Sequence, residues 1–482
     1  MSDALPIDAV LDALRAALRA VPNAVLEAPP GAGKTTRAPL ALMDEPWATG
    51  RIVMLEPRRL AARAAAARMA ETLGEPLGAR IGFRIRGEAK VSGATRIEVV
   101  TEGVLTRMLQ ADPALTGVSA VLFDEIHERS LQADLGLALC LEAQDALRPD
   151  LRLLAMSATL DAAPVARLMG GAPVIRAEGR AFPVETRWRD APLGPGARLG
   201  AEAAETALGA LAEAEGDALV FLPGAAEIRR AAAWLGPRAP TGVAIHELHG
   251  SMPFTKQRAA LAPAPPGGRK IVLATAIAET SLTVEGVRIV VDAGRARRAR
   301  FDPGSGMTRL VTERASRAEA EQRRGRAGRL APGLCLRLWT RGEEGGMPAY
   351  APPEILTADL APLALELAAW GADDPGALAF LDPPPAPAWA EARALLADLA
   401  ALDRAGRITA HGRAMAAAPL HPRLAHMTLA AAEADRPTAA ALAALLEARD
   451  PLRAAGSPPP ADLALRLEAL ADRRRFTAAR GH

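Results

Sequence analysis

Short apolar runs alternate with helical stretches over the first two-thirds of the chain, and this alternation limits the folds open to it. Ala24–Leu26, Ile52–Leu55, Ile97–Val100, Ala120–Phe123 and Leu151–Met156 read as buried strands. Helical stretches at Leu60–Leu73 and Leu131–Leu147 separate them. Continuous apolar strands divided by helices belong to a parallel sheet covered on both faces. The pattern weakens over Gly170–Pro195. It resumes at Ala218–Leu222, Val243–Leu248, Ile271–Ala274, Arg288–Val291 and Leu334–Leu338. The expectation is two α/β doubly wound parallel-sheet domains in tandem, joined near Glu178–Pro183.

After Tyr350 strand signals nearly vanish. Ile355–Trp370, Ala388–Leu402 and His411–Ala417 read as a small helical unit, with Arg407–Thr409 as a possible wing. Beyond Pro422 the chain is helical again, with a Pro-rich break at Ser457–Pro460, and it ends without an evident closing element, as a truncated chain would. The expected domains are 1–178, 183–349, 350–418 and 419–482.

Composition excludes more than it selects. Half of the residues are hydrophobic and 24% are charged, ordinary for a globular protein. The net charge is only +2, so no global positive field announces a nucleic-acid partner. Basic residues are almost all arginine, whose forked donors suit phosphate oxygens. Cys140 and Cys335 stand far apart and suggest neither a disulfide framework nor a zinc site. With no signal peptide and no apolar run long enough to span a bilayer, a cytoplasmic location without membrane attachment is expected.

Ala28-Pro29-Pro30-Gly31-Ala32-Gly33-Lys34-Thr35-Thr36 follows an apolar strand and opens a helix. Gly31 and Gly33 let backbone N–H groups turn inward around phosphate oxygens, beside the positive end of a helix. Lys34 suits the β- and γ-phosphates of a nucleotide, and the Thr35 hydroxyl suits Mg²⁺. With Ala28 in the first position, the loop has the shorter A-x-x-G-x-G-K-T form. The residues Pro30, Gly31, Ala32, Gly33, Lys34, Thr35 and Thr36 are the candidate cradle for ATP.

Asp124-Glu125-Ile126-His127 comes directly after the apolar run Val121–Phe123. An acidic pair at the carboxyl end of a strand is where doubly wound folds bind ligands. Asp124 is the candidate holder of Mg²⁺, with Thr35 and Glu125 completing the metal set. Glu125 is the candidate for activating water, and His127 for passing the nucleotide state onward. Ser157 and Thr159, after the next strand, can bridge to the acidic pair. Gln322-Arg323-Arg324-Gly325-Arg326-Ala327-Gly328-Arg329 sets five donors among glycines. Gln322 could position water, and Arg326 and Arg329 could serve as arginine fingers across a cleft. A basic surface helix that contacts nucleic-acid phosphates is the alternative.

Together these segments resemble the DEAH/RHA group of superfamily 2 helicases, and more closely the bacterial HrpB-type ATP-dependent helicases. The resemblance runs along essentially the whole chain, including Leu420–Leu424. It implies two RecA-like domains, then a winged-helix domain and a helical ratchet domain, and a chain continuing past residue 482. It implies ATP and Mg²⁺ as cofactors and nucleic acid, single-stranded or partly duplex RNA, as partner, with 3′ to 5′ movement of a monomer. By the same resemblance Arg58, Arg59, Thr101 and Gly103 grip the nucleic-acid backbone in the first domain. His249, Gly250, Thr275 and Thr280 do so in the second, with an ordinary helix cap or turn as the less favoured alternative for each hydroxyl. Asp292 falls where the family contacts the nucleotide's sugar. Arg295 stands where many members stack an aromatic residue on the base. Asp302–Gly306, flanked by Arg297, Arg298, Arg300 and Arg309, would form a hairpin that wedges between bases. Ile126 replaces the alanine of the family's name motif. An ATP-gated clamp that unwinds nothing, and a DNA helicase, remain open readings.

Overall fold

The computed structural model describes residues 5–29, 31–158, 162–179, 182–194, 196–279, 284–448, 450–452 and 460–471. Two compact units arise, Met1–Ala358 with Ala379–Asp382, and Asp359–Leu378 with Pro383–His482.

The first unit holds two parallel sheets. Its first lobe carries β1 (Asn23–Glu27), β2 (Arg51–Glu56), β3 (Ile81–Ile85), β4 (Glu88–Lys90), β5 (Ile97–Thr101), β6 (Val118–Phe123), β7 (Arg152–Ser157) and β8 (Val174–Arg176). They lie in the order β4-β3-β5-β2-β6-β7-β1-β8, and only β3 and β4 run antiparallel. The second lobe carries β9 (Val184–Trp188), β10 (Asp217–Phe221), β11 (Val243–Leu248), β12 (Arg269–Ala274) and β13 (Val287–Asp292). A hairpin of β14 (Arg295–Asp302) and β15 (Met307–Arg314) follows, then β16 (Gly333–Arg337). The second sheet is ordered β11-β12-β10-β13-β16-β9, all parallel.

Burial explains why the central strands stood out in the sequence. Every residue of β6 is buried, as expected for a strand covered on both faces. The strands over Gly170–Pro195 were hidden for the opposite reason. β8 has three residues, and β9 alternates half-buried with exposed positions, because both lie at sheet edges. The Asp302–Gly306 turn closes β14 on β15 as an antiparallel ladder, with Asp302 paired to Met307.

In the second unit the helices are Ala361–Trp370, Ala386–Asp398, Ala410–Ala417, Pro422–Ala430, Arg436–Glu447 and Leu463–Ala471. The helix expected from Ile355 begins later, at Ala361. Pro362 sits in its first turn, where its missing N–H costs nothing, and Glu354–Leu356 form a separate 3₁₀ turn. The Arg407–Thr409 stretch contributes one antiparallel bridge, Leu402 to Ile408. His421 accepts from Arg423 N–H at 3.2 Å and meets Asp359 at 3.0 Å. Among the described residues, no helix is long and apolar enough to cross a membrane.

Candidate nucleotide site

The carboxyl ends of the parallel strands assemble the site. Between β1 and the helix Lys34–Leu42, Gly31 and Gly33 take φ values of 85° and 97°. A side chain at either would be strained, and a β-carbon on Gly33 would also stand 2.7 Å from Leu5 Cδ1. Ile7 N–H donates to the Ala32 carbonyl at 3.1 Å, so the preceding segment braces the loop. Thr36 N–H closes back on the Gly33 carbonyl at 3.2 Å.

Lys34 is 4% exposed and donates to Glu125 Oε1 at 2.7 Å, with Asp124 Oδ1 at 3.8 Å. The Thr35 hydroxyl donates to Asp124 Oδ2 at 2.5 Å. Burial works against the Lys34 ammonium, but Glu125, Asp124 and Glu56 hold its pKa above the ordinary lysine value. Burial would raise the Glu125 carboxyl, yet Lys34 and His127 bring it down to about 2. Glu125 therefore stands ionised beside the loop. Its backbone is left-handed at φ 53°, as is Arg129 at φ 54°, so two strained residues bracket the acidic turn.

His127 joins three segments. Its Nδ1 accepts from Ala158 N–H at 3.2 Å, which ties it to the loop after β7. Its Nε2 lies 2.8 Å from the Gln322 side-chain amide of the second lobe. Burial lowers the His127 pKa, so the ring is neutral at neutral pH and holds one proton. Nδ1 is the acceptor, hence Nε2 carries the proton; the Gln322 amide is placed with its nitrogen 2.8 Å from Nε2, and it bonds to that proton once flipped so that its carbonyl oxygen faces the ring. Ser157 ends β7, and its carbonyl accepts from Ala28 N–H at 3.0 Å.

From the second lobe, Arg329 lies over the loop. A β-carbon on Gly31 would be 3.6 Å from its guanidinium carbon. Arg326 donates to the Glu279 carbonyl at 2.9 Å. Burial and the neighbouring Arg329 push the Arg326 pKa down, and burial lowers Arg329 to about 10. A buried and a half-buried cation side by side are relieved by an anion between them, and the phosphate loop is the adjoining surface.

The structure gives other candidates different surroundings. Asp292 is fully buried, and its Oδ1 accepts from Arg323 at 2.8 Å and from Gly294 N–H at 2.8 Å. Arg295 starts β14 and is exposed. Arg58 donates to Glu128 at 3.0 Å and, between lobes, to the Ala276 carbonyl at 3.1 Å. Arg59 opens the next helix, and Thr101 precedes the helix Glu102–Ala111, which contains Gly103. His249 Nδ1 meets the Ser251 hydroxyl at 2.5 Å, and Gly250 follows in the same turn. Thr275 N–H donates to the Leu248 carbonyl at 3.1 Å at the end of β12. Pro30, Thr159 and Thr280 lie outside the described residues.

Three residues were missed from sequence. Glu56, at the end of β2, is 0% exposed and faces Asp124. Its signal was an acid directly after an apolar run, the same signal that marked Asp124. Arg323 is 1% exposed, bonded to Glu279 and Asp292, and packed over the Phe221 ring at 5.3 Å. Glu354 brings the chain back from the second lobe to the first. Its N–H donates to the Arg129 carbonyl at 3.0 Å, and its carboxylate accepts from Leu131 N–H at 2.8 Å. Three residues on, the Thr357 carbonyl accepts from Phe301 N–H of the hairpin at 3.0 Å. A cavity of about 550 Å³ lies between the lobes here, lined by Arg58, His127, Glu279, Gln322 and Glu354 among others.

Comparison with known proteins gives concordant matches. The DEAD/DEAH box helicase family model matches residues 11–168, and the helicase conserved C-terminal domain model matches residues 202–331. The chain is 48% identical over 444 residues to the ATP-dependent RNA helicase HrpB of Escherichia coli (strain K12), covering 92% of this chain and 54% of that protein. It is 39% identical over 412 residues to a pre-mRNA-splicing factor ATP-dependent RNA helicase of Schizosaccharomyces pombe, covering 84% of this chain and 35% of that protein. A crystal structure of Escherichia coli DEAH/RHA helicase HrpB matches with a TM-score of 0.89 and 46% identity, over 99% of this chain and 61% of the other. The chain thus spans about half the length of the first of these curated relatives and about a third of the second.

Proposed function

Because the chain belongs to the DEAH/RHA group of superfamily 2 helicases, we propose that it is an ATP-driven motor that moves along RNA and separates its strands. The observation that carries this reading is Arg329 of the second lobe lying over Gly31, beside the Lys34–Glu125 pair of the first. A triphosphate seated on the loop meets cations from both lobes, so its hydrolysis alters what holds the lobes together.

The backbone of Gly31, Ala32, Gly33 and Thr36, with Pro30, cradles the phosphates. Lys34 exchanges its bond to Glu125 for the β- and γ-phosphates. Glu125, so released, orients the attacking water and accepts its proton. Arg326 and Arg329 stabilise charge on the transferred phosphoryl group. Gln322 and His127 report the state of the site between lobes, and Ser157 and Thr159 take part in passing it on. Asp292 acts through Arg323, and Arg295 lies at the base side. Thr35, Asp124 and Glu125 offer the hard oxygen donors that Mg²⁺ prefers, and they would hold it. When bound, that ion offsets negative charge on the phosphate oxygens.

Arg59, Thr101 and Gly103 in one lobe and His249, Gly250, Thr275 and Thr280 in the other take the phosphate backbone without reading sequence. Arg58, held between Glu128 and Ala276, sets their spacing. The family resemblance implies 3′ to 5′ movement, and we take the chain as a monomer in the cytoplasm. ATPase stimulation by single-stranded RNA and DNA, paired with strand displacement from a 3′-tailed RNA duplex, tests the reading. RNA-stimulated hydrolysis with strand release is expected. Hydrolysis with no release leaves a clamp, and equal stimulation by DNA removes the RNA preference.

A further inference from the structure

β2 and β6 are parallel neighbours, and their register sets Leu55 opposite Phe123. The next residues, Glu56 and Asp124, therefore end adjacent strands side by side. Asp124 N–H donates to the Leu55 carbonyl at 3.0 Å, which fixes the two ends together. Glu56 is 0% exposed, and neither of its carboxylate oxygens meets a donor among the described residues. Its carboxyl nevertheless stands within hydrogen-bonding reach of the Asp124 carboxyl. Two acceptors in contact repel unless a proton or a cation with its waters lies between them.

Elsewhere among the described residues, buried acids are answered by protein donors. Glu279 has Arg323, and Asp134 has Arg129. Glu27 has Arg176, and Glu45 has Arg19. At Glu56 the neighbouring cation is Lys34, which is bonded to Glu125 instead. The unanswered carboxylate is thus the one beside the Thr35–Asp124 oxygen pair.

We propose that Glu56 is a third carboxylate of the divalent-cation site, accepting from a water of the bound ion and holding Asp124 in place. This rests on the nucleotide-site reading above and extends it by one residue. Glu56 is a positioning residue: it acts through Asp124 and the ion's water shell, and outer partners of this kind set metal affinity by about 10- to 100-fold. Magnesium keeps several of its waters, so the site requires such an acceptor.

The test is Mn²⁺ binding, read as loss of the free-ion EPR signal, with protein in excess over ADP. Glu56→Gln preserves shape and can still donate to Asp124. If Glu56 is a metal-site carboxylate, the variant weakens Mn²⁺ binding by about tenfold or more, with metal-free ADP affinity unchanged. If Glu56 merely shares a proton with Asp124, Gln reproduces it and Mn²⁺ affinity is unaltered, which overturns the proposal. Asp124→Asn is the control. Loss of Mn²⁺ affinity in that variant alone removes only Glu56 from the site, whereas unchanged affinity in both removes the metal site itself. Should Glu56→Gln not fold, Mn²⁺ anomalous scattering from wild-type crystals with ADP decides. The peak is expected one water away from Glu56, and a Glu56 carboxylate turned away from it sinks the idea.

Discussion

Gln322 of the second lobe and His127 of the first stand 2.8 Å apart, side chain to side chain. The contact joins the helix Arg317–Gly325 to the turn that carries Glu125. Because Ala158 N–H occupies Nδ1, Nε2 is the donor, and with the Gln322 amide flipped to turn its oxygen to the ring this link has a direction: imidazole N–H to amide oxygen. In ¹⁵N NMR of the resting protein, His127 is expected as the Nε2–H tautomer. Gln322→Glu keeps an acceptor and should retain RNA stimulation of the ATPase, whereas Gln322→Lys should lose about 5- to 150-fold, the range of one coupling step. Equal stimulation in both variants would mean that the pair transmits nothing.

Arg329→Ala should leave ATP affinity within a few-fold and cut kcat by about 10³ to 10⁵, the scale of an arginine finger. Arg329→Lys should not restore it, because an ammonium cannot reproduce the planar fork. Single-turnover kinetics separates this loss from product release. A rate near wild type for either variant would remove Arg329 from the reaction.

Glu125→Gln should bind ATP and fail to turn it over, with a loss of about 10² to 10⁴ for the removed base. Lys34 also loses its charged partner in the resting state, so nucleotide affinity should hold or rise. Fluorescent-nucleotide titration beside phosphate release checks both halves.

Glu102 gives a pH dependence with a definite sign. Burial raises its carboxyl to about 7 from an ordinary 4.5, against the opposing hydrogen bond from Ser130. The folded protein then holds a proton that the unfolded chain releases, so this contribution is complete below the unfolded pKa and fades as pH rises through about 7. Wild type should lose Tm relative to Glu102→Gln as pH climbs from 5 to 8, with the gap largest at the alkaline end. Parallel melting curves would remove Glu102 as the titrating group.

What the sequence disclosed follows the physics of each segment. Strands buried on both faces, such as β6, announced themselves as apolar runs. Gly31 and Gly33 announced themselves because left-handed backbone leaves few residue choices. β8 and β9 did not, since edge strands need no continuous apolar face. The site divided along the same line. Asp124, Glu125 and Lys34 sit in local motifs, and spacing found them. Glu56 carried the same local signal as Asp124, but its place beside Asp124 came only from β2 lying next to β6, a pairing across 68 residues that no local pattern encodes. Arg323 stood within a segment already singled out, yet its commitment to Glu279 and Asp292 depends on three chain segments meeting. Glu354 lies 225 positions from the Arg129 carbonyl it engages.

That last contact bears on how the two lobes can move against each other. The chain passes from the first lobe to the second between β8 and β9 and meets the first again at Glu354, with the Thr357 carbonyl accepting from the hairpin in the same short segment. Of the ties between the lobes these two are made by the backbone itself, whereas the Arg58–Ala276 and His127–Gln322 contacts depend on side chains that can turn away. Any opening of the cleft that leaves the backbone ties intact would then be confined to one arc.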